Sequence, residues 1–198
     1  MTMPRNQLRP ALVVTAVLMV TTGLVYPGVV TAIAQLVFPR QANGSLMVRS
    51  GRVVGSDLIG QSFAGAGYFH PRPSAAGAGY DDTLSGGTNL GPTSARLADT
   101  LVARAVDSAV RLEGAVKGRV PSDMVTSSGS GLDPHISPAS AALQVGRVAR
   151  SRGLAPVVVR RLLARHVEPR QFGILGEPRV NVLRLNLALD SLGAAWHR

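Results

Sequence analysis

The sequence predicts an α+β protein: one N-terminal transmembrane helix followed by a single mixed α/β extracytoplasmic domain. Three observations predict it. No charged residue occurs from Ala11 to Phe38, helix patterns with start and stop signals fill the middle of the chain, and strand-like patterns lie on either side of them. The 198 residues suffice for one domain beside a membrane span, and not for two of ordinary size.

Residues 1–10 read as a cytoplasmic leader carrying Arg5 and Arg9, and residues 11–38 as the span. About 20 apolar residues cross the hydrocarbon core, so this run crosses with tilt. Threonines at 15, 21, 22 and 31 are tolerable there because their hydroxyls bond backbone carbonyls one turn back. Pro27 and Gly28 would break a soluble helix, whereas in a span they kink it. Small residues along the run suit packing on other helices. The rival reading is a cleaved secretory signal ending at Ala32-Ile33-Ala34, but the apolar region is longer than the 7–15 residues or so of such signals. Arginines before and after the run nearly balance. The short leader is the cheaper part to keep inside, so residues 39–198 are expected on the extracytoplasmic side.

Within that domain, residues 40–52 read as a polar connection, and RVVGSDLIGQSF as a strand or two. Residues 64–90 are rich in Gly, Ser and Pro, yet Tyr68, Phe69, Tyr80 and Leu90 give the segment something to bury, so an ordered loop is expected. Pro92 to Gly114 reads as a helix with Leu97, Leu101, Ala105 and Ala109 on one face. Pro121 to Pro138 is a second loop. Ser137 then caps a helix with Pro138 in its first turn, running to about Gly153. Another helix starts at Pro156 and ends near Val167. Leucines alternate with other residues from Leu183 to Leu189, which predicts a half-buried strand.

Composition excludes several chemistries. There is no cysteine, hence no disulfide, thiolate metal site or thiol nucleophile. The formal charge of +10 comes from scattered arginines with Lys117 the sole lysine, and eight aromatics offer little to stack bases, so no nucleic-acid partner is expected. His70, His135, His166 and His197 are dispersed, with no HExxH-type pair, so no metal site is expected; Asp81-Asp82 offers at most local attraction for a cation.

Two tracts merit a chemical reading. Ser127 to His135 contains serine, aspartate and histidine, the ingredients of an exported serine hydrolase using Ser130 and His135. However, G-x-S-x-G fits at no register, and Asp133 and His135 are too close in sequence to align behind one serine. A glycine-containing turn, with Asp133 and Ser137 bonding nearby amides, is the stronger reading. Leu84, Ser85, Gly86, Gly87 and Thr88 resemble the LSGGQ signature of transporter ATPases, with Thr in place of Gln. No P-loop accompanies them, and a tight turn is the better interpretation.

Taken in order, TxxLVYPGVVT, GSDLIGQSF, YFHPRPSA, LSGGTNLGPTS, VTSSGSGLDPHISPASAALQVGRVARSRGL and GEPRVNVLRLNLALD cover nearly the whole chain and resemble the C subunit of the Kdp potassium-transporting ATPase. The resemblance implies a single-span accessory subunit of a bacterial inner-membrane pump for potassium. Its implied partners are a channel-like potassium-binding subunit, a P-type ATPase subunit, a very short membrane peptide and membrane lipid. The complex would use ATP, Mg2+ and K+, with no cofactor bound by this chain alone. Interface candidates are Tyr26, Pro27, Gly28, Ser130, Gly131, Asp133 and His135. A family proposal, a catalytic chaperone raising ATP affinity, would place nucleotide at Leu84 to Thr88. The sequence contains no DKTG phosphorylation site and no TVGYG filter, so ATP hydrolysis and potassium selection are expected to reside in the partners.

Overall fold

A computed structural model describes residues 7–196; the first six leader residues, including Arg5, and His197 lie outside them. The chain forms two compact units, residues 1–46 and 47–198.

The first unit is a continuous helical rod from Leu8 to Val37 with none of its residues buried. It comprises α1 (Leu8–Val20), a π turn (Thr21–Val25) and α2 (Tyr26–Val37), followed by a short α3 (Pro39–Ala42). Pro27 explains the π turn: lacking an N–H, it leaves the carbonyl of Gly23 without its α-helical partner, and the wider turn takes up the mismatch. Thr22 Oγ1 donates to Leu18 O at 2.7 Å, the back-bonding expected of a threonine in an apolar helix. At the far end Asn43 Nδ2 donates to Gln35 Oε1 at 3.0 Å and to Pro39 O at 2.6 Å, bracing the turn after α3.

The second unit mixes helices with two small sheets. β1 (Leu46–Arg49) and β2 (Arg52–Ser56) form a two-stranded sheet around Ser50-Gly51, both with positive φ. Residues 40–52 are therefore more structured than a polar connection. After a long ordered loop come a π segment (Arg96–Val102) and α4 (Ala103–Glu113), which ends on Gly114 in the left-handed conformation. The helix begins after Ser94, whose Oγ accepts from Leu97 N, rather than at Pro92. A 3-10 turn (Ser122–Met124) and β3 (His135–Ile136) interrupt the second loop.

α5 (Pro138–Arg152) starts as the sequence predicts: Ser137 Oγ accepts from Ser140 N at 3.0 Å, and Gly153 closes the helix with φ +63°. α6 spans Pro156–Arg165, and Val167 belongs to β4 (Val167–Glu168). β5 (Arg179–Asn181) lies between β3 and β4, antiparallel to both, with His135 opposite Asn181 and Val167 opposite Val180.

The predicted C-terminal strand is corrected. Only Arg179–Asn181 is extended, and Val182–Trp196 is helix α7. Val182, Leu185, Asn186 and Leu189 are buried at helical spacing, so the same leucines that alternate also fit a 3.6-residue period. Leu, Asn and Ala here are not β-branched, which removes the main bias towards a strand. Helices α5, α6 and α7 share one core with the sheet through Val145, Val148, Val159, Val180, Leu185 and Leu189.

The loop segment at Phe69 and His70 crosses this core without a strand partner. Side-chain amides take the strand's place. Asn186 Oδ1 accepts from Phe69 N at 2.8 Å and its Nδ2 donates to Phe69 O at 2.9 Å. Gln144 does the same for His70, at 2.7 and 3.0 Å. Four buried or half-buried backbone groups are thus satisfied by two helices.

Candidate functional site

The sequence-predicted site residues fall in two places. Tyr26, Pro27 and Gly28 lie exposed on the helical rod. Ser130, Gly131, Asp133 and His135 come together with Leu84 to Thr88, because the two glycine-rich loops of the second unit are interlocked. Gly86 N donates to Ser130 O at 2.8 Å, and Ser85 Oγ to the same carbonyl at 3.1 Å. A Cβ on Gly87 would lie 3.1 Å from Gly129 O, so the two backbones approach as closely as glycine allows.

Gly131 sits at the centre of the lock. Its φ is +69°, and an added Cβ would meet Gly86 O at 2.5 Å and Ala76 N at 2.6 Å. Its carbonyl accepts from Ser74 Oγ at 2.7 Å, and Ser74 Oγ in turn accepts from Tyr80 N at 2.8 Å. One residue on, Leu132 O accepts from Gly60 N at 2.7 Å.

Asp133 ties the lock to Arg72. Its Oδ2 accepts from Arg72 Nη1 at 3.0 Å, and its Oδ1 accepts from His135 N at 3.0 Å and lies 3.5 Å from His135 Nδ1. Burial pushes the Asp133 carboxyl up, but the hydrogen bonds from His135 and Arg72 outweigh it and hold the group below its ordinary range. Tyr80 donates its hydroxyl to the Arg72 carbonyl, and burial together with nearby Asp133 raises its pKa. Pro71 and Pro73 bracket Arg72, keeping that stretch extended. Arg72 and Ser74 were not singled out from sequence, and Tyr80 was read only as something for its loop to bury; the two flanking prolines are the one hint at Arg72.

The lock's hydrogen bonds describe a turn rather than a nucleophile. Ser130 Oγ accepts from Leu132 N at 3.1 Å and lies 3.4 Å from Ser128 Oγ. His135 faces Asp133 and, at 3.9 Å, Glu168. This pairing gives the serine-hydrolase alternative no support. Asp81 bonds Thr83 through both the amide and the hydroxyl, and among the described residues no three His, Asp or Glu side chains converge as a metal site requires.

Beside the lock, a cleft of about 310 Å³ is lined by Phe63, His70, Arg72, Leu112, Glu113 and Met124, among others. Of these, Glu113 is braced by Arg147, whose Nε donates to Glu113 Oε1 at 2.7 Å while Nη1 bonds the carbonyls of Ala66 and Tyr68. Desolvation, with Arg147 close by, lowers the pKa of His70.

Comparison with known proteins gives this architecture a family. The family model described as KdpC, K+-transporting ATPase, c chain, matches residues 8–191. A potassium-transporting ATPase KdpC subunit of Gemmatimonas aurantiaca is 65% identical over 190 residues, covering 96% of this chain and 94% of the relative. The proteins of that name from Acidobacterium capsulatum and Rhodospirillum rubrum are 55% and 56% identical, covering 94% and 92% of this chain and 99% and 94% of their own lengths. The chain belongs to the KdpC family, the c chain of the K+-transporting ATPase.

Proposed function

We propose that this chain is a non-catalytic accessory subunit of the multi-subunit potassium pump, tethered to a bacterial inner membrane by Leu8–Val37. In this reading the N-terminus is cytoplasmic and the second unit extracytoplasmic, where it stabilises the assembly and covers the ion entrance of a channel-like potassium-binding subunit. A P-type ATPase subunit and a short membrane peptide complete the complex. ATP, Mg2+ and K+ belong to the complex rather than to this chain.

The observation that carries the non-catalytic reading is the interlock. Its serines and glycines are taken up by backbone and hydroxyl bonds and Asp133 by Arg72 and His135, which builds a rigid surface instead of a reactive centre. The same bonds weigh against a nucleotide at Leu84 to Thr88. A phosphate cradle needs free backbone amides, and Gly86 N already serves Ser130 O. Any rise in ATP affinity is then an indirect effect of assembly.

Co-purification tests the proposal. Extraction in mild detergent is expected to bring down a P-type ATPase with this chain, and its deletion to abolish potassium-stimulated ATPase activity. Full assembly and activity without it would defeat the idea. Protease digestion of the second unit in spheroplasts but not in inverted vesicles would establish the proposed side.

A further inference from the structure

The connection from β4 to β5 has no part in the interlock. Glu168 pairs with Arg179, and every residue from Pro169 to Arg179 is exposed. The tip is nevertheless fixed in shape. Gln171 and Leu175 exchange two backbone bonds of 2.9 Å, and Arg170 grips both carboxylate oxygens of Glu177 at 2.7 Å. This braced tip presents Phe172, Ile174 and Leu175 at 83%, 75% and 55% exposure. Rigidity matters here, because a floppy loop would fold its apolar side chains back onto the surface.

Helix α6 leads directly into the hairpin and carries Arg160, Arg161 and Arg165, all exposed and with no ion-pair partner among the described residues. Nearby Arg170, Arg179 and Arg184 are, by contrast, paired with Glu177, Glu168 and Asp57. Three apolar side chains offer roughly 300–400 Å², well below the ~800 Å² per partner of a stable protein interface. A small apolar wedge, with unpaired cations on the helix that precedes it, is what the headgroup layer of an anionic bilayer accepts.

We propose that the hairpin tip at Phe172, Ile174 and Leu175 enters the membrane interface, with Arg160, Arg161 and Arg165 on anionic lipid headgroups. The proposal rests on the membrane tether proposed above, which keeps a lipid surface at high effective concentration.

The test places a reporter at the tip of the full chain. The substitution F172W is made in a W196F background, which removes the one native tryptophan, Trp196. The protein is reconstituted into vesicles of phosphatidylcholine alone or with an equal part of phosphatidylglycerol. Brominated acyl chains are expected to quench this reporter about threefold more in the mixed vesicles than an L84W reporter in the same background. Adding R160Q, R161Q and R165Q is expected to bring it to the L84W level. Equal quenching at both sites would overturn the proposal, as would shielding of position 172 only when the other pump subunits are present. Vesicle flotation separates the two readings: a chain that does not float refutes the tether, and a floating chain with an unquenched reporter refutes the wedge alone.

Discussion

Asn186 holds Phe69 by both of its backbone groups, at 2.8 and 2.9 Å, so a helix side chain stands where a neighbouring strand would be. Asn186 is 1% exposed, and no water reaches the bonds. Asn186→Ala leaves a buried donor and a buried acceptor unpaired, at a cost of about 2–4 kcal/mol. Urea unfolding of the detergent-solubilised chain measures it. A loss below about 1 kcal/mol would mean that the loop finds other partners.

Arg147 and Glu113 are buried to 8% and 2% side-chain exposure, 2.7 Å apart, and join α5 to α4. Arg147→Met removes one charge and strands the other, with an expected destabilisation of about 3–5 kcal/mol. The double substitution R147M and E113L is expected to recover part of that loss, since no lone charge is left behind. A double-mutant cycle in urea checks the coupling.

Gly131 and Gly153 share a left-handed backbone, with φ of +69° and +63°, but differ in surroundings. Gly153→Ala meets open space and is expected to cost about 1 kcal/mol of backbone strain. Gly131→Ala also drives a methyl into Gly86 O and Ala76 N, so the interlock must open, at about 3 kcal/mol or more. Thermal melting of both variants, with proteolysis of the 64–90 loop as a second readout, distinguishes the two.

Acid is expected to loosen the same region in two steps. Desolvation lowers the pKa of His70, so the fold favours the neutral ring. Its contribution is present above the unfolded value of about 6.5 and is lost as pH falls from there through the folded pKa. Asp133 is also depressed, because hydrogen bonds outweigh burial, and its contribution disappears below about pH 4. The urea midpoint measured against pH is expected to drop in both windows. H70Q flattens the upper one and D133N the lower.

What sequence made legible was local, and what it missed was distant. Ser137 with Pro138, and Gly114 and Gly153 at helix ends, are signals that act within one turn, and the structure uses each as read. The contact of Gly131 with Ala76 joins residues far apart in the chain, so no spacing rule reveals it. Asn186 and Gln144 substitute for a strand, a role that composition does not encode. The C-terminal helix was misread because Leu183, Leu185, Leu187 and Leu189 satisfy a period of two, while the buried set at 182, 185, 186 and 189 satisfies 3.6. Arg72 escaped notice because an arginine between prolines looks like surface loop until Asp133 is seen beside it.

The anchor is expected to survive maturation. Signal cleavage requires an extended, accessible stretch at small residues, and Ala32-Ile33-Ala34 instead lies within α2, three residues before its end at Val37. Helical hydrogen bonds run through the site and on to Phe38 N, which bonds Ala34 O at 2.8 Å. Unwinding this stretch in a bilayer would expose unpaired backbone groups to hydrocarbon, at several kcal/mol each. Intact-mass measurement of the membrane-extracted chain is therefore expected near the full 20.6 kDa. A mature protein beginning at Gln35 would instead show that the apolar run is a signal, and the tether would have to be abandoned along with the wedge that depends on it.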